Sequence, residues 1–240
     1  HARLRWLNST LGMSNEVIAP FPPLVKQNNV IQVAGKQLTL NSYGLPEQVQ
    51  VNGRQLLKTP MQFSISTETA TLALTPGKTV FTSAANGCIK WENNWQAPTL
   101  EILCRGQIEF DGFVKYALTI RPKGNPVTLS NTQLELHFPA QLVPYMMGAG
   151  LAGGKRPAAY SWDWKGPWDS FWIGDVLGGL HLEMRGGTYH GPLLNDYKPA
   201  PPPAWYNNGK GGITLQEAGS GQVKMTIFTG ERTLQQDAPL

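Results

Sequence analysis

From Asn29 to Phe138 the chain alternates apolar and polar residues with period two, the signature of strands buried on one face. Short strands are predicted at Val30–Val33, Gln37–Leu40, Met61–Ser66 and Thr71–Leu74, parted by turn signals such as Asn52-Gly53 and Pro76-Gly77. Together they read as an antiparallel meander. Longer strands follow. Leu100–Phe110 leads through Asp111-Gly112, a signal of the type I′ kind, into Phe113–Arg121, where Val114, Tyr116, Leu118 and Ile120 share a face. In Thr132–Phe138 the parity turns Leu134, Leu136 and Phe138 inward and leaves His137 on the solvated side.

The stretch Met146–Gly154, MMGAGLAGG, has no period and is predicted to be a long loop. Gly178–Arg185 alternates again, with Leu180, Leu182 and Met184 inward and His181, Glu183 and Arg185 outward; Ile213–Glu217 and Val223–Phe228 form a last hairpin through Gly219-Ser220-Gly221. The one helical spacing is Leu4, Leu7 and Leu11, stopped by Gly12. So long an antiparallel array must fold on itself to cover its apolar faces. The expected fold is therefore all-β: a large antiparallel β-sandwich with one short N-terminal helix. It is expected as a single domain over residues 1–240. Residues 1–28 carry the helix and a proline-rich lead-in, 29–145 the meander, 146–210 the Gly-rich loop and an aromatic-rich segment, and 211–240 the closing hairpin and an exit toward a downstream domain.

Composition narrows the class. Charged residues make up only 15% of the 240, while Gly (26) and Pro (19) are plentiful, which favours strands and turns over charged helices. The net charge of +4 is spread without a basic run, so no nucleic-acid partner is expected, and no apolar run reaches the roughly 18 residues of a membrane span. Cys88 and Cys104 bracket a predicted hairpin turn within Asn93–Pro98. A register symmetric about Gln96 would set them opposite each other, so a disulfide and two free thiols both fit.

Chemistry concentrates in Tyr160–Trp205, which holds five of the eight tryptophans. Trp162 and Trp164, two apart, would share one face of an extended strand, with Asp163 on the other. Indole faces suit the C–H side of a sugar ring, and neighbouring Asp, Asn and His can bond its hydroxyls; large aromatics also fill sandwich cores and domain seams. Candidate contacts with a carbohydrate or a partner domain are Trp162, Asp163, Trp164, Trp168, Asp169, Trp172, Asp175, His190, Asn195, Tyr197 and Trp205. A glycosidase needs two carboxyl groups about 5–10 Å apart, and no spacing among Asp163, Asp169, Asp175 and Glu183 singles out a pair. His181 and His190 lack metal-ligand spacing, and no GxSxG elbow is present. No catalytic residue, metal or cofactor is expected within this chain.

Four stretches, Arg3–Gly12, Phe110–Phe113, Phe171–Val176 and Thr229–Leu234, resemble the β-sandwich domain that precedes the catalytic barrel in bacterial proteins related to glycoside hydrolase family 123. The resemblance implies β-N-acetylgalactosaminidase chemistry in the parent enzyme, with the substrate's N-acetyl group as nucleophile and an adjacent Asp-Glu pair in a (β/α)₈ barrel. Asp and Glu are nowhere adjacent here, so that motif finds no position. The start without Met and the end soon after Leu234 then fit a piece of a larger enzyme, secreted, periplasmic or at the cell surface. Its partners would be that downstream barrel and a glycan containing amino sugars. Two other readings stand beside this one: a carbohydrate-binding module with tryptophan platforms, and a sandwich enzyme with an acid-base pair among His181, His190 and the aspartates.

Overall fold

A computed structural model describes residues 14–164, 169–186, 201–236 and 240. It is all-β, with twenty-one strands among those residues, and the sheets are antiparallel throughout. The predicted helix at Arg3–Leu11 lies outside the described residues. The α-helix within them is a single turn, α1 (Pro203–Tyr206), with proline at its first position.

The first sheet is a five-stranded meander of β1 (Val25–Gln27), β2 (Val30–Val33), β3 (Lys36–Leu40), β4 (Pro46–Val51) and β5 (Arg54–Gln55). Asn52-Gly53, both left-handed, close β4 onto β5 as a two-residue turn, as their sequence signals. A second sheet joins β7 (Thr75–Pro76), β8 (Val80–Ala85), β9 (Cys88–Gln96), β10 (Leu100–Glu109) and β11 (Val114–Pro122). Inward residues of the two sheets, Ile31, Val33, Leu38 and Leu40 against Ile89, Trp91 and Ile108, form one core.

A third sheet runs in the order β16 (Ala159–Trp162), β19 (Gly212–Ala218), β20 (Gln222–Phe228), β13 (Asn131–Pro139) and β6 (Thr59–Ser66). It shares a core with the fourth, ordered β15 (Leu151–Lys155), β14 (Tyr145–Gly148), β17 (Ser170–Asp175) and β18 (Gly178–Glu183). A ribbon of β12 (Val127–Leu129) and β21 (Arg232–Leu234) closes the third core under Ile65, Trp95 and Ile102. Phe63, Val49 and Tyr116 each pack against two of these cores, so apolar burial is continuous from one to the next.

Several expectations need correction. The turn placed within Asn93–Pro98 comes later than expected: Asn93–Gln96 are strand, since β9 runs through Gln96, and the reversal falls at Ala97–Thr99. Asn93 looked like a turn residue, yet it is buried between Trp91 and Trp95 on the inner face because its amide is fully used. Those three side chains grip one loop: Trp91 Nε1 donates to the carbonyl of Gly44 at 2.9 Å, Asn93 Nδ2 to Ser42 at 2.9 Å and Trp95 Nε1 to Tyr43 at 2.8 Å. Asp111-Gly112 does form a hairpin, but Gly112 alone is left-handed, so the turn is not type I′. Thr71–Leu74 contributes an isolated bridge at Thr71, not a strand.

The predicted loop at Met146–Gly154 belongs largely to β14 and β15. Its glycines hid the strands. At Gly148, left-handed, a Cβ would stand 2.7 Å from Phe171 Cα in the neighbouring β17.

The register also places Cys88 opposite Glu109 and Cys104 opposite Asn93, which separates the cysteines by ~17 Å along the ladder. No disulfide spans that distance, and both thiols are free and buried. Burial pushes the Cys104 thiol up to about 12 and raises that of Cys88 as well. A thiol reagent at neutral pH is expected to label neither cysteine in the native chain and both after unfolding; rapid native labelling would contradict this placement.

Candidate functional site

The aromatic segment divides between the two faces of the fourth sheet. Phe171 and Ile173 point into the core, so parity turns Trp172 outward, as it does His181 opposite it on β18. Met147 faces Trp172 from the other side, giving an outer row of Met147, Trp172 and His181. Tyr145 stands in the next row, opposite Gly174, and Gly174 pairs with Gly179. Those two glycines have a purpose on this face. A Cβ on either would lie 2.8 Å from Cζ2 of Trp172, so the indole rests in the space their missing side chains leave. Tyr145 is 42% and Met147 53% exposed, and the face is a shallow apolar and aromatic platform.

One end of this sheet projects as the tip Asp175–Gly178, where Val176 is 88% and Leu177 61% exposed. The tip is tied down from outside its own sheet. Arg54 donates through both Nη atoms to the two oxygens of Asp175, and Asn52 Nδ2 donates to the Leu177 carbonyl at 3.0 Å. Asp175 Oδ1 also accepts the backbone N–H groups of Leu177 and Gly178, at 2.9 and 3.2 Å. The Arg54 side-chain bond, helped by those backbone donors, holds the Asp175 carboxyl down at about 2.

Arg54→Met is therefore expected to loosen the tip and lower stability above about pH 4. A carboxyl lowered in the folded state contributes stability above its unfolded value of 3.8 and loses it as pH falls through about 2. Urea midpoints of the native and variant chains should therefore differ at pH 7 and converge toward pH 2.5. A difference independent of pH would contradict this role.

The other sequence candidates occupy different places. Trp162 ends β16, packed on the core shared by the third and fourth sheets, with its ring where a Cβ on Gly150 would come within 2.1 Å. Trp164 lies past the strand end in a left-handed conformation and is buried in the same core. Trp205, on α1, is partly buried against it. Asp163 is exposed, whereas Asp169 is buried, and burial first, then the charge of Glu183, raises its carboxyl. Asp169 immediately precedes β17, whose first residue, Ser170, stands opposite Glu183 on β18. Trp168, His190, Asn195 and Tyr197 lie outside the described residues. Among those described, no group of three His, Cys, Asp or Glu side chains converges on a point that could hold a metal.

Sequence reasoning missed Arg54, Met147 and Tyr145. Met147 and Tyr145 carry the alternation of a strand but were masked by the glycines around them. Arg54, 121 residues from Asp175, carries no signal at all.

The model of the family described as glycoside hydrolase 123, third domain, matches residues 24–240. The chain belongs to that family. This agrees with the resemblance read from the motifs, and it makes the chain a domain associated with glycoside hydrolases. The match to this family 123 domain includes the Phe171–Val176 stretch that carries Trp172 and Asp175, and the Asn52–Arg54 turn that anchors the tip. No match is found among curated proteins. Among solved structures, a chain described as an aldose 1-epimerase from Escherichia coli K12 is similar over 87% of each chain at 10% identity, with a TM-score of 0.35. So slight a likeness says nothing of activity here. No helix among the described residues is long and apolar enough to cross a membrane.

Proposed function

We propose that this chain is a noncatalytic domain of a secreted bacterial family 123 glycoside hydrolase of the N-acetylhexosaminidase type. It packs on the catalytic barrel through the outer face of β15, β14, β17 and β18 and helps to shape the cleft for an amino-sugar glycan. The observation that carries this reading is the platform of exposed Tyr145 and Met147 beside the half-buried Trp172, with the Val176-Leu177 tip at its end. Large apolar side chains gathered on one face mark a contact surface. The tip is already fixed by Arg54 and Asn52, so docking it costs little further ordering.

The Asp175 carboxylate supports a noncatalytic role. Asp175 is committed to Arg54 and two backbone donors and is ionised at any pH where a general acid must hold a proton.

The test is made in the full-length enzyme. Met147→Asp combined with Val176→Asp is expected to lower kcat/KM on an aryl N-acetylgalactosaminide by about tenfold, the scale on which slight misplacement of reacting groups is felt. Proteolytic cleavage between the domains should accelerate in parallel. Unchanged activity together with unchanged cleavage would count against this face.

A further inference from the structure

The first sheet, whose Asn52–Arg54 turn holds the platform's tip, carries a further feature on its own outer face. Its register sets Val25 opposite Gln32, Gln32 opposite Gln37, Gln37 opposite Gln50 and Gln50 opposite Gln55. Four glutamines on four adjacent strands thus form one straight row on a single face. The opposite face, through Ile31 and Leu38, is buried on the second sheet, so the row looks outward. A groove runs along this face, walled by Pro22, Pro23 and Val25 and floored by Gln32, Gln37 and Gln50.

Glutamine rows can serve structure alone by bonding amide to amide, as in stacked side-chain ladders. This row does not. Among the described residues no hydrogen bond engages the side chain of Gln32, Gln37, Gln50 or Gln55, whereas Gln48, in the adjoining row, spends both ends of its amide on the backbone of Leu57. The row therefore presents neutral amides, each with a carbonyl acceptor and two N–H donors, at the strand spacing of about 4.8 Å.

We infer that this groove is a binding site for a linear, neutral oligosaccharide laid across the strands, with about one sugar ring per strand. Each amide can donate to one hydroxyl and accept from its neighbour, and the ring faces of Pro22 and Pro23 offer apolar surface to sugar C–H groups. Charge argues for neutrality: the wall holds one ionisable group, Lys36, whose Nζ donates to the Asp111 carbonyl at 3.2 Å. An extended peptide would seek the backbone of an edge strand, not a row of side chains on a sheet face. The choice of a sugar ligand rests on the glycoside-hydrolase reading; the row and its unengaged amides do not.

Affinity electrophoresis and calorimetry on the 240-residue chain test the site, with N-acetylated chitohexaose and cellohexaose as neutral probes and a heparin hexasaccharide as the charged one. At least one neutral probe should bind. Gln37→Ala with Gln50→Ala should weaken it by about tenfold or more, as expected for lost hydrogen bonds, with the unfolding midpoint unchanged because the amides bond nothing among the described residues. Trp172→Ala, on the other platform, should leave binding unaltered. Absence of binding to both neutral probes, tighter binding of heparin, or full binding by the double variant would overturn the site. Those outcomes leave the domain-packing test in the full-length enzyme untouched, so the two readings fail separately.

Discussion

Trp91→Ala is expected to destabilise the chain by about 3–5 kcal/mol, the range for truncating a fully buried aromatic. Trp91 has no exposed surface and stands where the first and second sheets meet, against Ile31, Leu38 and Leu40. Its Nε1 also holds the Gly44 carbonyl, which would lose its donor. The ring has room because Gly106 lies directly opposite on β10, and Tyr116 lies opposite Gly106 on β11. The two aromatic rings meet edge to face above that glycine, with centroids 5.7 Å apart.

A Cβ at Gly106 would stand 2.0 Å from Trp91 Cε2, and the ring, packed on every side, cannot give way. Gly106→Ala should therefore lower stability by about 1–3 kcal/mol, although alanine is normally the better strand residue. Trp91→Leu in the Gly106→Ala background should cost less than the two single changes summed. Denaturant unfolding of the four chains measures this, and strict additivity would show that the ring and the glycine are not coupled.

Asn93→Leu should cost about 3–5 kcal/mol despite conserving size and adding apolar surface. Asn93 Nδ2 lies 2.9 Å from the Ser42 carbonyl, 3.1 Å from that of Gly77 and 2.8 Å from Thr79 Oγ1, and Oδ1 accepts the Gly77 N–H at 3.1 Å. Leucine would leave the carbonyls without that donor in a site closed to water, at about 1–3 kcal/mol each. The loop Ser42–Gly44 should then be released from Trp95 as well as from residue 93, and hydrogen exchange in that loop should rise first. A leucine variant of native stability would mean that water satisfies those carbonyls.

Where one face is buried and the other wet, the fold was legible: β2, β3, β6, β10, β11, β13, β18, β19 and β20 all carry the period-two alternation. Asn93 and Asn94 suggest a turn by type, but three-dimensional contacts with two loops make the first of them a core residue. Gly148, Gly150, Gly153 and Gly154 suggest a flexible loop, and the close approach that requires glycine is visible only once β17 is beside them. The same limit applies to the aromatic segment. Parity along one strand pairs Trp162 with Trp164, but the chain leaves the strand at Trp162, and Trp172 is the tryptophan of the outer platform. The glutamine row is spread over four strands, with no repeat spacing to betray it. Its alignment depends on the lengths of three turns.

The central claim is that this family 123 domain does not itself break glycosidic bonds. The direct measurement is hydrolysis of a nitrophenyl N-acetyl-β-galactosaminide by the 240-residue chain alone. The account predicts no turnover above the uncatalysed rate across pH 4 to 8. Turnover that disappeared in Asp169→Asn or Asp175→Asn, with the variants still folded, would contradict it.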